Sequence, residues 1–303
     1  MEKRTDLAME TRESFPQNHV EIQGVLLEKK ECLGGRALIT TVKIQDEAGS
    51  KAMRKPIGTY VTVESPLMRD GDFEEREPLL LCICGQLEKM IQGMKQKSVL
   101  IIGLGNREVT SDSLGPKMTD ALFITRHFKQ EFGNTFLEEN QYGCVSAIAP
   151  GVMAQTGIET GELLEGVVRQ TKPDLVIAVD ALAARSVSRL CTTIQITDTG
   201  IAPGAGVGNR RKELNEKNLG VPVVAIGVPT VVDAGTIIGD HLEHVLQKQG
   251  YSEDEIERFI NEIMGEETEK VMVTPKDIDC SVSQISEDLA HILNHCFQKR
   301  DNL

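Results

Sequence analysis

Two aspartates, Asp112 and Asp180, each follow an apolar run of the kind that forms a buried strand. Val99-Leu-Ile-Ile-Gly-Leu-Gly105 leads through Asn106-Arg-Glu-Val-Thr-Ser111 to Asp112, and Asp174-Leu-Val-Ile-Ala-Val179 leads directly into Asp180. In open α/β sheets the chemistry gathers outside the carboxyl ends of the strands. Two carboxyl groups delivered to that rim can share one proton, the ionised member activating a water and the protonated member supporting the departing group. Hydrolysis is the chemistry this pair predicts. The plainer reading of a strand-end Asp is a cap or turn residue, and spacing alone does not separate the two.

Other nucleophile and metal patterns fall short. No G-x-S-x-G elbow is present, and Ser111 and Ser113, which flank Asp112, have no neighbouring histidine in sequence. His291 and His295 share a helix face, but the zinc-protease motif needs Glu after the first His and that position is Ile292. His241 and His244 lack an acidic partner of the expected form. Nothing has zinc-ribbon spacing, so no metal is expected.

Glycine and turn motifs give two further candidates. Gly103-Leu-Gly105 would need a third glycine at Glu108, where a carboxylate would oppose a pyrophosphate. Gly204-Ala-Gly-Val-Gly-Asn-Arg-Arg-Lys212 reads first as a surface loop. Its functional reading is a cleft wall that offers Arg210 or Arg211 to an acidic group of a substrate. Asp198-Thr-Gly200 copies the catalytic turn of pepsin-like proteases, but it occurs once and in an α/β pattern. Turn chemistry explains it, and Asp198 is kept as a supporting residue of the cleft.

The elements that must position these groups follow from hydrophobic period. Apolar runs at 98–104, 144–149, 174–179, 191–197 and 222–227 alternate with helical patterns near 115–128, 158–171 and 233–248, with a short Ala-rich helix after Asp180. That alternation predicts crossover units and a mostly parallel sheet covered on both faces, a three-layer α/β sandwich. Ahead of it, Ala37–Ile44 and Thr59–Val63 read as a β-hairpin around a polar turn at 46–50, followed by a helix from about 78 to 95. Residues 1–20 read as a mobile arm, and two helix candidates close the chain at 253–264 and 282–298.

Composition bounds the function. The chain has 303 residues, 40% hydrophobic and 26% charged, with no Trp, so the core must be aliphatic. A formal charge of −13 supplies no basic footprint for direct nucleic-acid binding. The first ten residues are too charged for a secretory signal, and no apolar stretch approaches a membrane span. Seven cysteines make no disulfide framework and fit a reducing compartment. Cys82 and Cys84 sit two apart in a helical pattern and should face different ways.

Four runs resemble the spore germination proteases, the endopeptidases that degrade small acid-soluble spore proteins: Ile101–Pro116, Ala149–Thr160, Ala178–Ala184 and Thr197–Asn209. The similarity extends from residue 4 to about residue 240. It implies an α/β fold similar to hydrogenase-maturation endopeptidases, two essential aspartates falling on Asp112 and Asp180, and no cofactor. It also implies a self-processing zymogen in a reducing spore core, a homotetramer, and substrates cut after an acidic residue and before an apolar one. Arg4-Thr-Asp-Leu-Ala-Met-Glu10 resembles the self-cleavage sequence. The cut is then expected between Asp6 and Leu7, leaving a propeptide of residues 1–6 and a protease domain of 7–303. A cation is expected to meet the acid before the cut, the candidates being Arg185, Arg189, Arg210 and Arg211. The rival readings are a metal-dependent peptidase of the maturation type and a non-catalytic α/β ligand-binding protein.

Overall fold

The computed structural model describes residues 5–13, 22–203, 212–252, 255–256, 258–260 and 271–298. Nine strands form one sheet in the order β1-β2-β3-β7-β8-β6-β4-β5, with β9 added to β8. These are β1 (Val25–Cys32), β2 (Ala37–Ile44), β3 (Gly58–Glu64), β4 (Ser98–Gly103), β5 (Cys144–Ile148), β6 (Leu175–Ala184), β7 (Thr193–Thr197), β8 (Val223–Asp233) and β9 (Met272–Val273). The central set β5-β4-β6-β8 is parallel, and β7-β3-β2-β1 continues it antiparallel. The expected N-terminal hairpin is therefore part of the main sheet, joined to it through β7.

Alternating side chains on the parallel strands feed two cores, as a doubly covered sheet requires. On one face Val99, Ile101, Ile177, Val179 and Ile226 pack against Leu79, Ile83 and Leu87 of one helix and Ile285, Leu289 and Leu293 of another. On the other face Leu100, Ile102, Val176 and Ala178 meet Leu164 and Val168. The helices used below are α1 (Ala8–Glu13), α2 (Glu47–Met53), α3 (Phe73–Met90), α4 (Leu114–Asp120), α5 (Thr160–Thr171), α6 (Ala234–Lys248) and α7 (Ile278–Phe297). Each inward stripe follows helical spacing, and α3 starts at Asp72, whose side chain accepts the Glu75 N–H. The sulfurs of Cys84 on α3 and Cys296 on α7 are in contact across the two helices, while the sulfur of Cys82 lies 3.6 Å from that of Cys32. The two cysteines do face different ways.

Several local expectations are corrected. No Ala-rich helix follows Asp180; residues 181–184 continue β6, because β8 also runs on and pairs with them. The polar segment at 46–50 is not a hairpin turn but the start of α2, with Asp46 accepting the Gly49 N–H. The helix expected over 115–128 stops at Asp120, and a second runs over Arg126–Phe132. Strand β1 carries Glu28-Lys-Lys-Glu31 and gives no apolar run; it is an edge strand, where charge suppresses further pairing. The arm is ordered over residues 5–13, with Leu7, Ala8, Met9 and Glu10 buried. Most of the helix expected at 253–264 lies outside the described residues.

Candidate active site

Strands β4 and β6 end at different heights, and that step makes the cleft. The last pair of their ladder is Gly103 with Val179, and the Leu104 N–H closes on the Val179 carbonyl at 2.8 Å. Asp180 is the next residue of β6. It lies within that strand rather than at its end, yet just beyond the carboxyl end of β4. Its residue is 5% exposed, and its Oδ1 accepts the Ala181 N–H at 3.0 Å.

Asp112 reaches the same place from the β4–α4 loop. It ends a 3₁₀ turn at Thr110–Asp112, and its Oδ2 accepts the Asn106 N–H at 2.8 Å, folding the loop back on itself. Gly105 allows this: its φ is +114°, and a Cβ there would lie 2.0 Å from the Asp112 carbonyl oxygen. A second tie comes from β8. The β6–β8 register skips Thr230 between the pairs Leu182–Pro229 and Ala183–Val231, a β-bulge. The freed Thr230 hydroxyl donates to the Ser111 carbonyl at 2.7 Å. Asp112 and Asp180 both line one cavity of about 610 Å³. The structure thus brings together the two acids singled out in the sequence.

Asp6 of the arm lines this cavity. The Asp6 N–H donates to the Ala183 carbonyl at 3.0 Å, and the Ala183 N–H donates to Asp6 Oδ2 at 2.9 Å. The Asp6 carbonyl oxygen accepts from Lys55 Nζ at 2.9 Å and from Gln195 Nε2 at 3.3 Å. Leu7 is fully buried beside Leu182, Ala184, Leu190 and Val232, and the Ala8 N–H donates to Gln195 Oε1 at 2.7 Å. Lys55 is half-buried as a residue with its amine turned inward. Burial pushes that amine below the ordinary lysine value, while the charges of Asp6 and Glu10 pull the other way. Tyr60, also in the wall, is pushed up to about 12 by burial and stays protonated.

Of the four candidate cations, the two within the described residues meet acids other than Asp6. Arg189 and the backbone of Arg185 meet Glu10, not Asp6: Arg189 Nη1 lies 2.9 Å from Glu10 Oε1, and the Arg185 N–H donates to Glu10 Oε2 at 2.7 Å. The Arg185 guanidinium is paired with Asp240 at 2.8 Å. Arg210 and Arg211 lie outside the described residues. The Asp198 carboxylate accepts the Thr59 N–H at 2.7 Å, a turn role, and Asp198 is not among the lining residues. His291 packs edge-on against Phe73, and His241 bonds the Ile237 carbonyl of its own helix. No three His, Cys, Asp or Glu side chains among the described residues converge as a metal site would require.

Sequence reasoning missed Lys55, Gln195 and Thr230. Gln195 did leave a signal, as the lone amide in the buried strand Thr193-Ile-Gln-Ile-Thr197. Lys55 left none, since it follows α2 in a charged stretch.

The α/β sheet thus carries Asp112 and Asp180 on the wall of one cavity just beyond the carboxyl end of β4, and comparison with known proteins gives the chain a family. The germination protease family model, peptidase family A25, matches residues 2–258. Curated germination proteases from Clostridium tetani, Caldanaerobacter subterraneus and Bacillus subtilis are 41%, 43% and 39% identical, over 98%, 97% and 98% of this chain and 96%, 94% and 94% of theirs. The chain belongs to the germination protease family and is a protease. A [NiFe] hydrogenase maturation protease, HycI from Thermococcus kodakarensis, aligns over 70% of this chain and 98% of its own at 17% identity and a TM-score of 0.37. At that score it adds no weight to the fold, which stands on the strand order. No helix among the described residues is long and apolar enough to cross a membrane.

Proposed function

We propose that this chain is an aspartic-type endopeptidase, made as a zymogen, that cuts itself between Asp6 and Leu7 and then degrades small acid-soluble spore proteins in the germinating spore core. One observation carries the reading: Asp6 lines the same cavity as Asp112 and Asp180, with the arm hydrogen-bonded through it. A segment held in a cleft by its own backbone is how a protease holds a substrate. The buried apolar residue after the bond suits the acid-then-apolar cleavage preference carried by the family resemblance.

In this mechanism the two aspartates hold one proton between them, because neighbouring like charges disfavour double ionisation, and they titrate as a unit. The ionised member takes a proton from a water whose oxygen attacks the Asp6 carbonyl carbon. The protonated member gives its proton to the Leu7 nitrogen as the C–N bond breaks. No cofactor enters. The charge of −13 suits an enzyme that removes proteins from DNA without competing for its phosphates. The homotetramer of the family is proposed for this chain as well.

The test is the intact mass of the full-length chain. Loss of residues 1–6 is expected for the natural chain. In Asp112→Asn and Asp180→Asn the rate should drop at least about 10²–10⁴-fold, with unchanged circular dichroism. An arm that stays whole under every activating condition, or normal processing by either variant, would remove the reading.

A further inference from the structure

We propose that Lys55 and Gln195 form the oxyanion-binding site of this protease. The inference rests on the reading of Asp6–Leu7 as the scissile bond, and adds two catalytic residues to the acid pair.

The geometry is specific to one atom. The Asp6 carbonyl oxygen takes two donors, Lys55 Nζ at 2.9 Å and Gln195 Nε2 at 3.3 Å. When water adds to that carbonyl carbon, the C=O π pair moves onto this oxygen and leaves it negative. When the tetrahedral species collapses, the pair returns, the C–N bond breaks, and the nitrogen leaves with a proton from the acid pair. Donors already aimed at the oxygen strengthen as charge develops there.

The two donors are anchored independently. Lys55 follows the left-handed end of α2 at Arg54, its N–H donates to the Ser50 carbonyl, and its own carbonyl accepts the Ser50 hydroxyl at 2.7 Å. Gln195 stands on β7 between β3 and β8, so the strand fixes its direction. The Gln195 amide is oriented by the substrate itself. Its Oε1 accepts the Ala8 N–H at 2.7 Å, which leaves Nε2 to face Asp6. One side chain thereby measures the spacing from the residue before the cut to the second residue after it. Burial holds the Lys55 amine below its ordinary value, while the Asp6 and Glu10 charges pull the other way, and the Asp6 carbonyl gives the amine an acceptor.

The experiment compares the full-length natural chain with Lys55→Met, Gln195→Leu and Gln195→Glu. Two rates are read: self-processing by intact mass, and cleavage of a peptide carrying residues 4–13. Lys55→Met should lower both rates about 10²–10³-fold while circular dichroism shows the fold retained. For the peptide the loss should sit in kcat, with KM little changed, because the oxyanion exists only in the transition state. Gln195→Glu keeps the acceptor for the Ala8 N–H and loses the donor, and should slow kcat as well. Gln195→Leu loses both and should also raise KM. A natural chain that cuts neither substrate sinks the protease reading itself. A natural chain that cuts while Lys55→Met, or a folded Gln195→Glu, keeps kcat within twofold overturns the oxyanion assignment alone. If Lys55→Met does not fold, Gln195→Glu decides.

Discussion

Arg189 holds Glu10 at 2.9 Å, four residues past the Asp6–Leu7 bond, with the Glu10 side chain buried and that of Arg189 mostly so. Arg189 also lies 2.9 Å from Glu64 of β3 and 2.9 Å from Glu13 of α1, so it clamps the arm to the sheet edge. Arg189, one of the cations expected to meet the acid before the cut, thus serves an acid after it. The Asp6 carboxylate takes the Ala183 N–H. Removing one partner of a buried pair strands the other, at about 3–5 kcal/mol. Arg189→Met and Glu10→Gln should each loosen the arm by about that much, slow self-processing at least about tenfold, and raise hydrogen exchange over residues 5–13. Wild-type processing with wild-type exchange in both variants would remove the clamp from the argument.

Gly105→Ala places a methyl group 2.0 Å from the Asp112 carbonyl oxygen on a backbone with positive φ. The loop must shift, and Asp112 with it. We expect at least about 10²-fold slower cleavage, since small displacements of a reacting group are costly, together with about 1–3 kcal/mol lower stability. A variant that is destabilised yet fully active would show that the loop tolerates the shift.

The parallel centre of the fold is legible in the sequence because its strands are covered on both faces and so consist of unbroken apolar runs, as in Val99–Ile102 and Leu175–Val179. The antiparallel half is harder to read, because edge strand β1 faces water and spends its residues on charge. The full length of β6 is hidden for another reason. Ala181-Leu-Ala-Ala184 has high helix propensity, and only pairing with β8 makes it a strand. The two aspartates are legible as candidates because Asp180 directly follows such a run and Asp112 lies one short loop beyond another. Lys55 and Gln195 become meaningful only when α2, β7 and the arm converge, 140 residues apart in the chain between the two side chains (195 minus 55).

At the opposite end of β4 from the cavity, the Asp174 carboxylate accepts the Ser98 N–H at 2.7 Å and its hydroxyl at 2.9 Å. The backbone bond first, and the hydroxyl second, hold this carboxyl below its ordinary value. A depressed folded-state value means the stabilisation is present above the ordinary carboxylate value of about 4 and is lost as pH falls through the lower folded value. Asp174 is exposed, so the contribution is modest. Asp174→Asn should cost about 1 kcal/mol at neutral pH, with the gap from the natural chain closing as pH drops below about 4. Self-processing should be unchanged. A gap that is constant with pH would assign the cost to packing rather than to charge.

Thr230 is where the sheet and the Asp112 loop are joined, and the bulge explains why a threonine serves. On a regular β8 its side chain would follow the alternation and pair with its neighbours across the ladder. The skipped register at Leu182/Ala183 frees it to reach the Ser111 carbonyl, one residue before Asp112. Thr230→Val keeps the shape and β-branching but removes the donor, leaving that carbonyl without this partner. An unmet hydrogen bond of this kind costs about 1–3 kcal/mol. The larger effect should fall on kcat, because the loop that carries Asp112 is then held less firmly to β8. About tenfold slower cleavage of the residue 4–13 peptide is expected, with little change in KM, since binding runs through Ala183, Gln195 and Arg189 rather than through this loop. Thr230→Ser keeps the hydroxyl and should recover most of the rate. If valine and serine behaved alike, the bulge would be a structural accommodation and the tie to Asp112 would carry no catalytic weight.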